Sequence, residues 1–500
     1  MRNWGKTWSS RAVWLGALCG TTLVVAACAD ALRLEPGVGG STSTSSTSTS
    51  GGGGGAGPVA CSSNVDCPEP TSVCDTVNAV CVECLVIGDC AFRPGTVCDE
   101  GSCDCPDDEE WCGPNLCVDA QTSSEHCGTC HHQCFGACID GACADPWEPV
   151  GTTDAPQARA RHAAVWTGDA MIVWGGAAAA GNATNLSTGG IYDPATFEWT
   201  EVSKVNAPSP RQDAVAVWTG DAMVVWGGRD GATYLNDGGV YDPATNTWTT
   251  MSATSAPSGR VHHTGVWTGS ELVVWGGVDD TDQLNTGGIY NPSNDTWAAT
   301  EAMPAPAAPR QYHTAVWNGS LMLVYGGYGD GTTATNIYLP ADGVQGGNSF
   351  DPGASSGAWT ALSQVGEPSA RGMHSAVWDG TRLMVFGGWN ATNYLANGFK
   401  LEGNTWAAFN GDGPSMRREH VAVYVEDASR MIVWGGRDDV GLLATGAVYD
   451  PGNNSWEADT PTALEARVDM SAISTGTAMI VWGGFNAGDT PLATGALYTP

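Results

Sequence analysis

Arginine and histidine recur together in the C-terminal two thirds of the chain, three residues apart, and this pair has the clearest capacity for chemistry. The arginine marks seven copies of one unit, at Arg159, Arg211, Arg260, Arg310, Arg371, Arg417 and Arg467. Five copies carry the histidine, at His162, His263, His313, His374 and His420, and the other two have Ala214 and Met470 in its place. Five imidazoles near one axis could bind a metal or an anion. We take these histidines, with Arg310 and Arg371, as candidate binding residues.

The same regularity supports a second interpretation of this set. A residue that recurs in register can belong to the scaffold and hold each copy to its neighbour, because symmetry argues for structure and asymmetry argues for a site. The scaffold interpretation is favoured, and the binding interpretation stays open beside it.

Carboxylates form a second candidate set, in the loops that follow a repeated Gly-Gly pair. They are Asp230, Asp279, Asp280, Asp282, Asp330, Asp438, Asp439 and Asp489. Calcium prefers several such oxygens, but no loop completes a recognised calcium motif. Solvated loop acids are the favoured interpretation, so no cofactor is expected, and calcium stays the alternative. The long fourth loop, from Gly327 to Gly347 with Tyr328, Asn336 and Tyr338, is the candidate lid over a pocket.

The elements that position these residues are four short extended runs in each copy, separated by turns. In the first copy the runs are HAAVW, AMIVW, GGIY and EWTEV, between Arg159 and Val202. The second run is apolar without alternation in all seven copies, which predicts a strand covered on both faces. It ends in two glycines, which allow dihedrals that a side chain would forbid. A tryptophan in the last run of six copies is large enough to wedge between adjacent sheets.

A double glycine after an apolar strand, a later tyrosine and a tryptophan after a DPxTNTW-like turn resemble the kelch repeat. The resemblance covers about residues 145–500 and implies an all-β fold, a β-propeller of four-stranded blades whose first strands line the central channel. The seventh copy stops at Pro500, after its third strand, while Trp147 has the spacing to its arginine that is typical of a fourth strand. We therefore predict seven blades, with residues 146–150 completing the last one.

Enzyme interpretations find little support in the sequence. There is no HExxH motif or phosphate loop. Copper chemistry like that of galactose oxidase needs a tyrosine linked to a cysteine, and the repeats contain no cysteine. A mutarotase-like activity, known from some bacterial kelch propellers, would need an Arg, a Glu and a His at the channel mouth. The repeats do contain Arg and His, so this activity stays an alternative.

The N-terminus predicts secretion and a lipid anchor. Arg2, Lys6 and Arg11 precede an apolar run at residues 12–27, which is typical of a signal peptide. The run ends in VAAC, which resembles the bacterial lipobox and implies cleavage before a lipidated Cys28. Residues 28–60 then form a Ser/Thr/Gly-rich tether with little to bury.

Residues 61–144 are rich in cysteine and predict a small disulfide module on a stalk. The cysteines are Cys61, Cys67, Cys74, Cys81, Cys84, Cys90, Cys98, Cys103, Cys105, Cys112, Cys117, Cys127, Cys130, Cys134, Cys138 and Cys143. An even count behind a signal peptide favours disulfide bonds, which a segment with so few large apolar residues needs for order. Zinc at the spacing of Cys127, Cys130 and Cys134 is the alternative.

The net charge of −33 excludes nucleic acid as an expected partner, because an acidic surface repels phosphate backbones. We expect a monomeric, lipid-anchored protein of the bacterial cell envelope, facing the periplasm or the outside, that binds a protein or glycan through one propeller face. The alternatives are a secreted carbohydrate-active enzyme of mutarotase or epimerase type that uses the channel mouth, and a purely structural envelope protein.

Overall fold

The structure is a computed structural model that describes residues 146–500, except 182–183, 301–308, 330–345, 355–357 and 461–463, together with residue 121 and eight short strands between Val73 and Cys143. The predicted signal peptide, Cys28, the tether and most of the cysteine-rich segment lie outside the described residues. Every regular element in the described part is a β-strand. Within this part, the structure has no helix long and apolar enough to cross a membrane.

Seven four-stranded antiparallel sheets form the blades of a β-propeller, which confirms the all-β, seven-bladed fold. In each sheet the strands lie in the order inner, second, third and outer. The inner strand of every blade contacts the inner strands of both neighbours, including the first with the seventh, so the ring is closed. The predicted cover on the second strand is also present, since its four apolar residues are buried in all seven blades.

The first three blades have regular strands of four or five residues. Blade 1 has Ala163–Trp166, Met171–Trp174, Gly189–Asp193 and Glu198–Glu201; blade 2 has Val215–Trp218, Met223–Trp226, Gly238–Asp242 and Thr247–Thr250; blade 3 has Thr264–Trp267, Leu272–Trp275, Gly287–Asn291 and Thr296–Ala299.

The next three blades repeat this pattern with small variations in length. Blade 4 has Thr314–Trp317, Met322–Tyr325, Gly347–Asp351 and Ala358–Ala361; blade 5 has Ser375–Trp378, Arg382–Phe386, Gly398–Glu402 and Thr405–Ala408; blade 6 has Val421–Val425, Arg430–Trp434, Gly446–Asp450 and Ser455–Thr460.

Blade 7 is assembled from both sides of the repeat array, as the spacing of Trp147 predicts. Its strands are Ser471–Ser474, Met479–Trp482, Gly495–Tyr498 and, as the outer strand, Trp147–Pro149. Trp147 is the register partner of Tyr498, just as Trp199 is the partner of Tyr192 in blade 1. The segment before the first repeat therefore gives the last blade the fourth strand that the other six blades have.

The hydrophobic core lies between adjacent blades, where a tryptophan of each outer strand packs against the last aromatic residue of a neighbouring second strand. Ring centroids in these pairs are 4.9–5.7 Å apart. The pairs are Trp199 with Trp482, Trp248 with Trp174, Trp297 with Trp226, Trp359 with Trp275, Trp406 with Tyr325, Trp456 with Phe386, and Trp147 with Trp434. These contacts confirm the predicted wedge in all seven blades.

Short two-stranded sheets accompany the blades. Two lie in the propeller and pair Arg229–Asp230 with Thr233–Tyr234 and Arg310–Gln311 with Tyr328–Gly329. Four lie in the cysteine-rich segment and pair Val73–Asp75 with Val80–Val82, Val97–Asp99 with Ser102–Asp104, Glu110–Trp111 with Cys117–Val118, and Cys138–Ile139 with Ala142–Cys143.

Candidate functional site at the channel mouth

The seven repeated arginines are completely buried and bind their own blades. In each blade the Nη1 atom donates to the carbonyl of the first glycine of the Gly-Gly pair and to the carbonyl of the residue just before the third strand. For Arg371 these acceptors are Gly387 at 3.0 Å and Asn397 at 3.1 Å. For Arg310 they are Gly326 at 3.1 Å and Gly346 at 3.2 Å. The guanidinium thus adds a donor to both carbonyls, the second of which also accepts the N–H of that glycine, as from Gly387 to Asn397 at 3.1 Å.

The main chain at each repeated arginine also joins neighbouring blades. Its carbonyl accepts the N–H of the second glycine of the preceding blade, as in Gly327 to Arg371 at 2.9 Å. The bond from Gly484 to Arg159, at 2.9 Å, closes the ring between blades 7 and 1. Both groups of the arginine, backbone and side chain, therefore hold the propeller together.

The five repeated histidines are also buried, with 5–9% of each residue exposed. The imidazole of His374 fits between two glycines: a Cβ added at Gly326 of the preceding blade would lie 2.6 Å from its Cε1, and one at Gly388 would lie 2.8 Å from its Cβ. This close approach explains why both positions of the repeated pair are glycine. In blade 7 Met470 takes the place of the histidine, and its side chain packs against Gly435 of blade 6.

Four of these imidazoles contact a hydroxyl at the start of the preceding inner strand through Nε2. The pairs are His162 with Ser471, His313 with Thr264, His374 with Thr314 and His420 with Ser375, at 2.7–2.9 Å. Burial lowers the pKa of His162, His313 and His420 to about 3 and that of His263 and His374 well below its usual value, so all five are neutral. The contacts of the predicted binding set are those of a scaffold.

The residue directly before each repeated histidine position lies at the channel mouth in a left-handed backbone conformation. The seven residues, which we call the mouth ring, are Arg161, Asp213, His262, Tyr312, Met373, Glu419 and Asp469, with φ of 54–58°. Their main chains bond around the axis from blade to blade, for example from Asp213 N–H to the Arg161 carbonyl at 3.0 Å. The backbone of the mouth ring is thus regular, and only its side chains differ.

A cavity of about 310 Å³ opens between these side chains. It is lined by six members of the mouth ring and by two arginines that follow the Gly-Gly pairs of blades 2 and 6. The lining residues are Arg161, Asp213, Arg229, His262, Tyr312, Glu419, Arg437 and Asp469. Three guanidinium groups and three carboxylates therefore face one small space in a protein whose net charge is strongly negative.

The charged half of the cavity consists of ion pairs contributed by blades 6, 7, 1 and 2. Arg161 Nε lies 2.9 Å from Asp469 Oδ2, and Arg437 Nε lies 2.7 Å from Glu419 Oε2. A longer pair, at 3.5 Å, joins Arg229 Nε to Asp213 Oδ2. Because all these groups are partly shielded from water, their charges act on one another more strongly than surface charges do.

The uncharged part of the lining is aromatic and comes from blades 3 and 4, as His262 and Tyr312. Tyr312 Oη lies 2.9 Å from His262 Nε2, and the two rings stack with centroids 4.0 Å apart. Tyr328 meets the edge of Tyr312 at 5.8 Å and lies 6.1 Å from Trp389. The cavity therefore offers a polar edge and an apolar wall to the same ligand.

Titration behaviour at this site follows from burial and from the neighbouring arginines. Burial lowers the pKa of His262 to about 3, and Arg229 and Arg161 add to the effect, so the imidazole is a neutral acceptor for the Tyr312 hydroxyl. Burial raises the pKa of Asp213 and of Glu419 although arginines oppose the shift. Burial likewise raises the pKa of Tyr312. The arrangement can hydrogen bond a ligand through both donors and acceptors, and the proton of the Tyr312–His262 contact stays on the tyrosine.

The predicted loop carboxylates do not assemble a metal site in the described residues, where no three His, Cys, Asp or Glu side chains could hold an ion together. Asp279 and Asp438 instead accept backbone N–H groups of their own loops. Asp330 and most of the predicted fourth-loop lid, with Asn336 and Tyr338, lie outside the described residues. Tyr328 of that loop stands behind Tyr312 at the cavity wall.

The histidines predicted as binding residues directly follow the mouth-ring positions and are not among the residues that line the cavity. The repeated histidines face the inside of the blades, whereas the variable residue before each of them faces the axis. The available signal was the contrast itself: between a repeated arginine and a repeated histidine, the chain has a different residue type in almost every copy.

The comparison with known protein families agrees with this geometry. The sequence model described as Attractin/LZTR1 beta-propeller matches residues 143–395, half of the chain. The chain belongs to the Attractin/LZTR1 beta-propeller family. The match runs from just before the closing strand of blade 7 into blade 5. No curated protein matches the chain.

Membership of the Attractin/LZTR1 beta-propeller family confirms the kelch-type propeller that the repeats predict. A propeller of this kind is consistent with protein-binding and structural roles. It does not identify a ligand, which has to be argued from the side chains of the mouth ring.

Proposed function

We propose that this protein is a recognition module of the cell envelope that binds a glycan or protein partner in the cavity of the mouth ring. One observation carries the proposal: seven positions with the same backbone conformation carry mostly polar side chains of six different types. Scaffold residues on either side repeat because every blade needs the same contacts. Variation at equivalent positions serves recognition, since a ligand that lacks sevenfold symmetry needs unlike groups around it.

The size of the cavity limits what the partner inserts. A volume of about 310 Å³ lies at the lower end of the range for ligand pockets. It suits a single sugar unit or one protruding side chain rather than a folded surface. The rest of a larger partner would then rest on the loops around the mouth.

The proposal is tested by applying the full chain to a glycan array and to a displayed peptide library, with two matched tyrosine variants. Tyr312→Ala removes a side chain that lines the cavity, whereas Tyr234→Ala removes a half-buried tyrosine of a blade 2 loop outside its lining. We expect the native chain and Tyr234→Ala to capture the same ligand and Tyr312→Ala to lose it. Capture that survives Tyr312→Ala, or no capture on either platform, contradicts the proposal.

We also propose that Cys28 anchors the protein to a membrane through lipid, on the strength of the lipobox-like sequence. Cys28→Ala should move the chain from the membrane fraction to the soluble fraction and abolish labelling with a clickable fatty acid. Cys19→Ala, which changes the other cysteine of the predicted signal peptide, should leave both unchanged. Labelling that persists in Cys28→Ala would rule out this anchor.

A second candidate function is acid–base catalysis on a bound sugar, of the mutarotase or epimerase type. Glu419 in the cavity lining favours it, because burial raises the pKa of this carboxyl toward the range in which a carboxyl exchanges protons. Exchange between sugar anomers, followed by NMR with and without the full chain, tests this function. Acceleration that Glu419→Gln removes would support catalysis, and rates equal to the uncatalysed exchange would exclude it for the sugars tested.

A further inference from the structure

The arginines of the cavity are only partly engaged by their acidic partners. Arg161, Arg229 and Arg437 all reach a carboxylate through Nε. Their Nη1 and Nη2 atoms have no hydrogen-bond partner in the described part of the chain. Each guanidinium therefore presents its terminal pair of nitrogens, the side that grips a planar oxyanion with two parallel hydrogen bonds.

These guanidinium ends are also accessible from the cavity. The exposed fractions of the three side chains are 30% for Arg161, 17% for Arg229 and 36% for Arg437. The charges of Arg161 and Arg229 both lower the pKa of His262, and those of Arg161 and Arg437 both lower the pKa of Glu419. The three positive charges therefore lie within reach of one small ligand.

The distribution of positive charge over the propeller points to the same conclusion. Fifteen lysines and arginines lie in residues 146–500, and seven of them are the repeated scaffold arginines. Of the remaining eight, four lie in or beside the cavity: Arg161, Arg229, Arg437 and Arg418, which approaches Glu419 at 3.6 Å. Half of the propeller's non-scaffold cations therefore lie in or beside this one cavity.

We infer that the cavity recognises a carboxylate carried by a small, hydroxyl-rich ligand, that is, an acidic sugar. The inference rests on the proposed function and names the ligand class for the same site. The carboxylate would bind the free ends of Arg161, Arg229 and Arg437. The second oxygens of Asp213, Glu419 and Asp469 are acceptors for hydroxyl groups, and the aromatic wall at Tyr312 suits the apolar face of a sugar ring.

The three carboxylates distinguish this ligand from a more highly charged anion. They balance the three guanidinium groups, so a group with several negative charges would be repelled by Asp213, Glu419 and Asp469. One negative charge surrounded by hydroxyl donors fits both sets of groups.

Isothermal titration of the full chain with D-glucuronate, D-glucose and sulfate tests the inference. We expect D-glucuronate to bind at least about tenfold more tightly than D-glucose, and to lose affinity as NaCl increases because its carboxylate is attracted by charge. Arg161→Gln and Arg437→Gln should each weaken D-glucuronate by about 10- to 100-fold while changing D-glucose little. Arg430→Gln, which breaks ion pairs with Asp450 and Glu457 on blade 6, is the matched control and should change neither.

Arg161→Lys keeps a positive charge beside Asp469 but removes the planar fork, so it guards against a trivial loss of folding. It should melt like the native chain and still lose the preference for D-glucuronate. Equal affinity for the two sugars, an undiminished preference in the arginine variants, or no binding of either sugar overturns the inference. If sulfate binds as tightly as D-glucuronate and depends on the same arginines, the assignment of the ligand as a sugar is overturned.

Failure of the inference can be told apart from failure of the proposed function. If D-glucose binds as well as D-glucuronate and Tyr312→Ala abolishes both, the cavity is a recognition site without a preference for anions. If neither Tyr312→Ala nor the arginine variants change the binding of the sugars, both the inference and the proposed function fail.

Discussion

Thr314 Oγ1 lies 2.8 Å from Nε2 of His374, which belongs to the next blade. The same hydroxyl–imidazole contact occurs at three other blade boundaries, and the one between Ser471 and His162 joins blade 7 to blade 1. The buried histidines are therefore part of how the ring is closed, and their charge state matters for its stability.

Acid should destabilise the propeller through these histidines. Burial lowers the pKa of His162, His262, His313 and His420 to about 3, and lowers that of His263 and His374 well below 6.5. The unfolded chain takes up protons near pH 6.5 and the folded chain does not. Stability is therefore complete above about pH 6.5 and falls as the pH decreases toward 3, by about 1.4 kcal/mol per pH unit for each histidine.

Three carboxyl groups act in the opposite direction, since burial raises the pKa of Glu367 to about 7 and also raises that of Asp213 and Glu419. Six imidazoles outnumber them, so the apparent melting temperature should fall between pH 7 and 4.5. His374→Asn should show a shallower fall than the native chain. A melting temperature that is level across this range would contradict the assigned protonation states.

Val215→Thr should stabilise the protein. His263 is buried, and neither of its ring nitrogens has a hydrogen-bond partner in the described structure. Val215 starts the preceding inner strand, at the position where Thr264, Thr314, Ser375 and Ser471 supply a hydroxyl to other histidines. A threonine of the same shape should restore this bond and add about 1 kcal/mol to the free energy of unfolding.

Urea denaturation of Val215→Thr measures this gain. The matched control is Thr314→Val, which removes the hydroxyl from His374 and should cost about 1–3 kcal/mol by leaving a buried nitrogen unpaired. No gain of stability in Val215→Thr, together with no loss in Thr314→Val, would show that the hydroxyl contacts do not stabilise the blade boundaries.

Arg371→Lys should destabilise the fold by about 2–4 kcal/mol without changing ligand affinity per folded molecule. The guanidinium of Arg371 is fully buried and spans the carbonyls of Gly387 and Asn397, which the compact ammonium of lysine cannot reach together. Urea denaturation gives the stability, and titration of the folded protein with its ligand gives the affinity. Normal stability with a loss of ligand would return Arg371 to the binding residues.

Trp147→Ala should open the ring at blade 7. Trp147 is fully buried and packs against Trp434 and Tyr498, so truncation should cost about 3–5 kcal/mol. Limited proteolysis should then cut the third strand of blade 7 as well as residues 147–149. Glu148→Ala, in the same strand, is the control. Proteolysis equal to that of the native chain would show that this strand is not needed for closure.

The fold was predictable because its signals are repeated. An apolar second run, a glycine pair and a tryptophan occur at steady spacing, and each of these reports a contact that every blade makes. Trp147 could be assigned to the last blade from its distance to Arg159 alone. Because the same spacing recurs in each repeat, a single sequence is enough to predict the strands and contacts of a blade.

The cavity was not predictable in the same way because its residues share a conformation and not a chemistry. Arg161 and Tyr312 have nothing in common as side chains, and they share only their place before a repeated histidine and a φ of 55°. His262 directly precedes the repeated His263, and no repeat pattern marks it as a separate candidate. The ion pair between Arg161 and Asp469 joins the first and last repeats, and no local pattern reports a contact across the closed ring.

Five described bonds between adjacent members of the mouth ring use only main-chain atoms, so the geometry there does not depend on which side chain is present. The seven side chains can consequently be exchanged on a constant backbone, much as the loops of an antibody are exchanged on a constant framework. A library randomised at these seven codons, with the arginines and histidines around them untouched, would redirect the specificity of the propeller while retaining its architecture. New binding proteins could be selected from this scaffold without redesigning any blade.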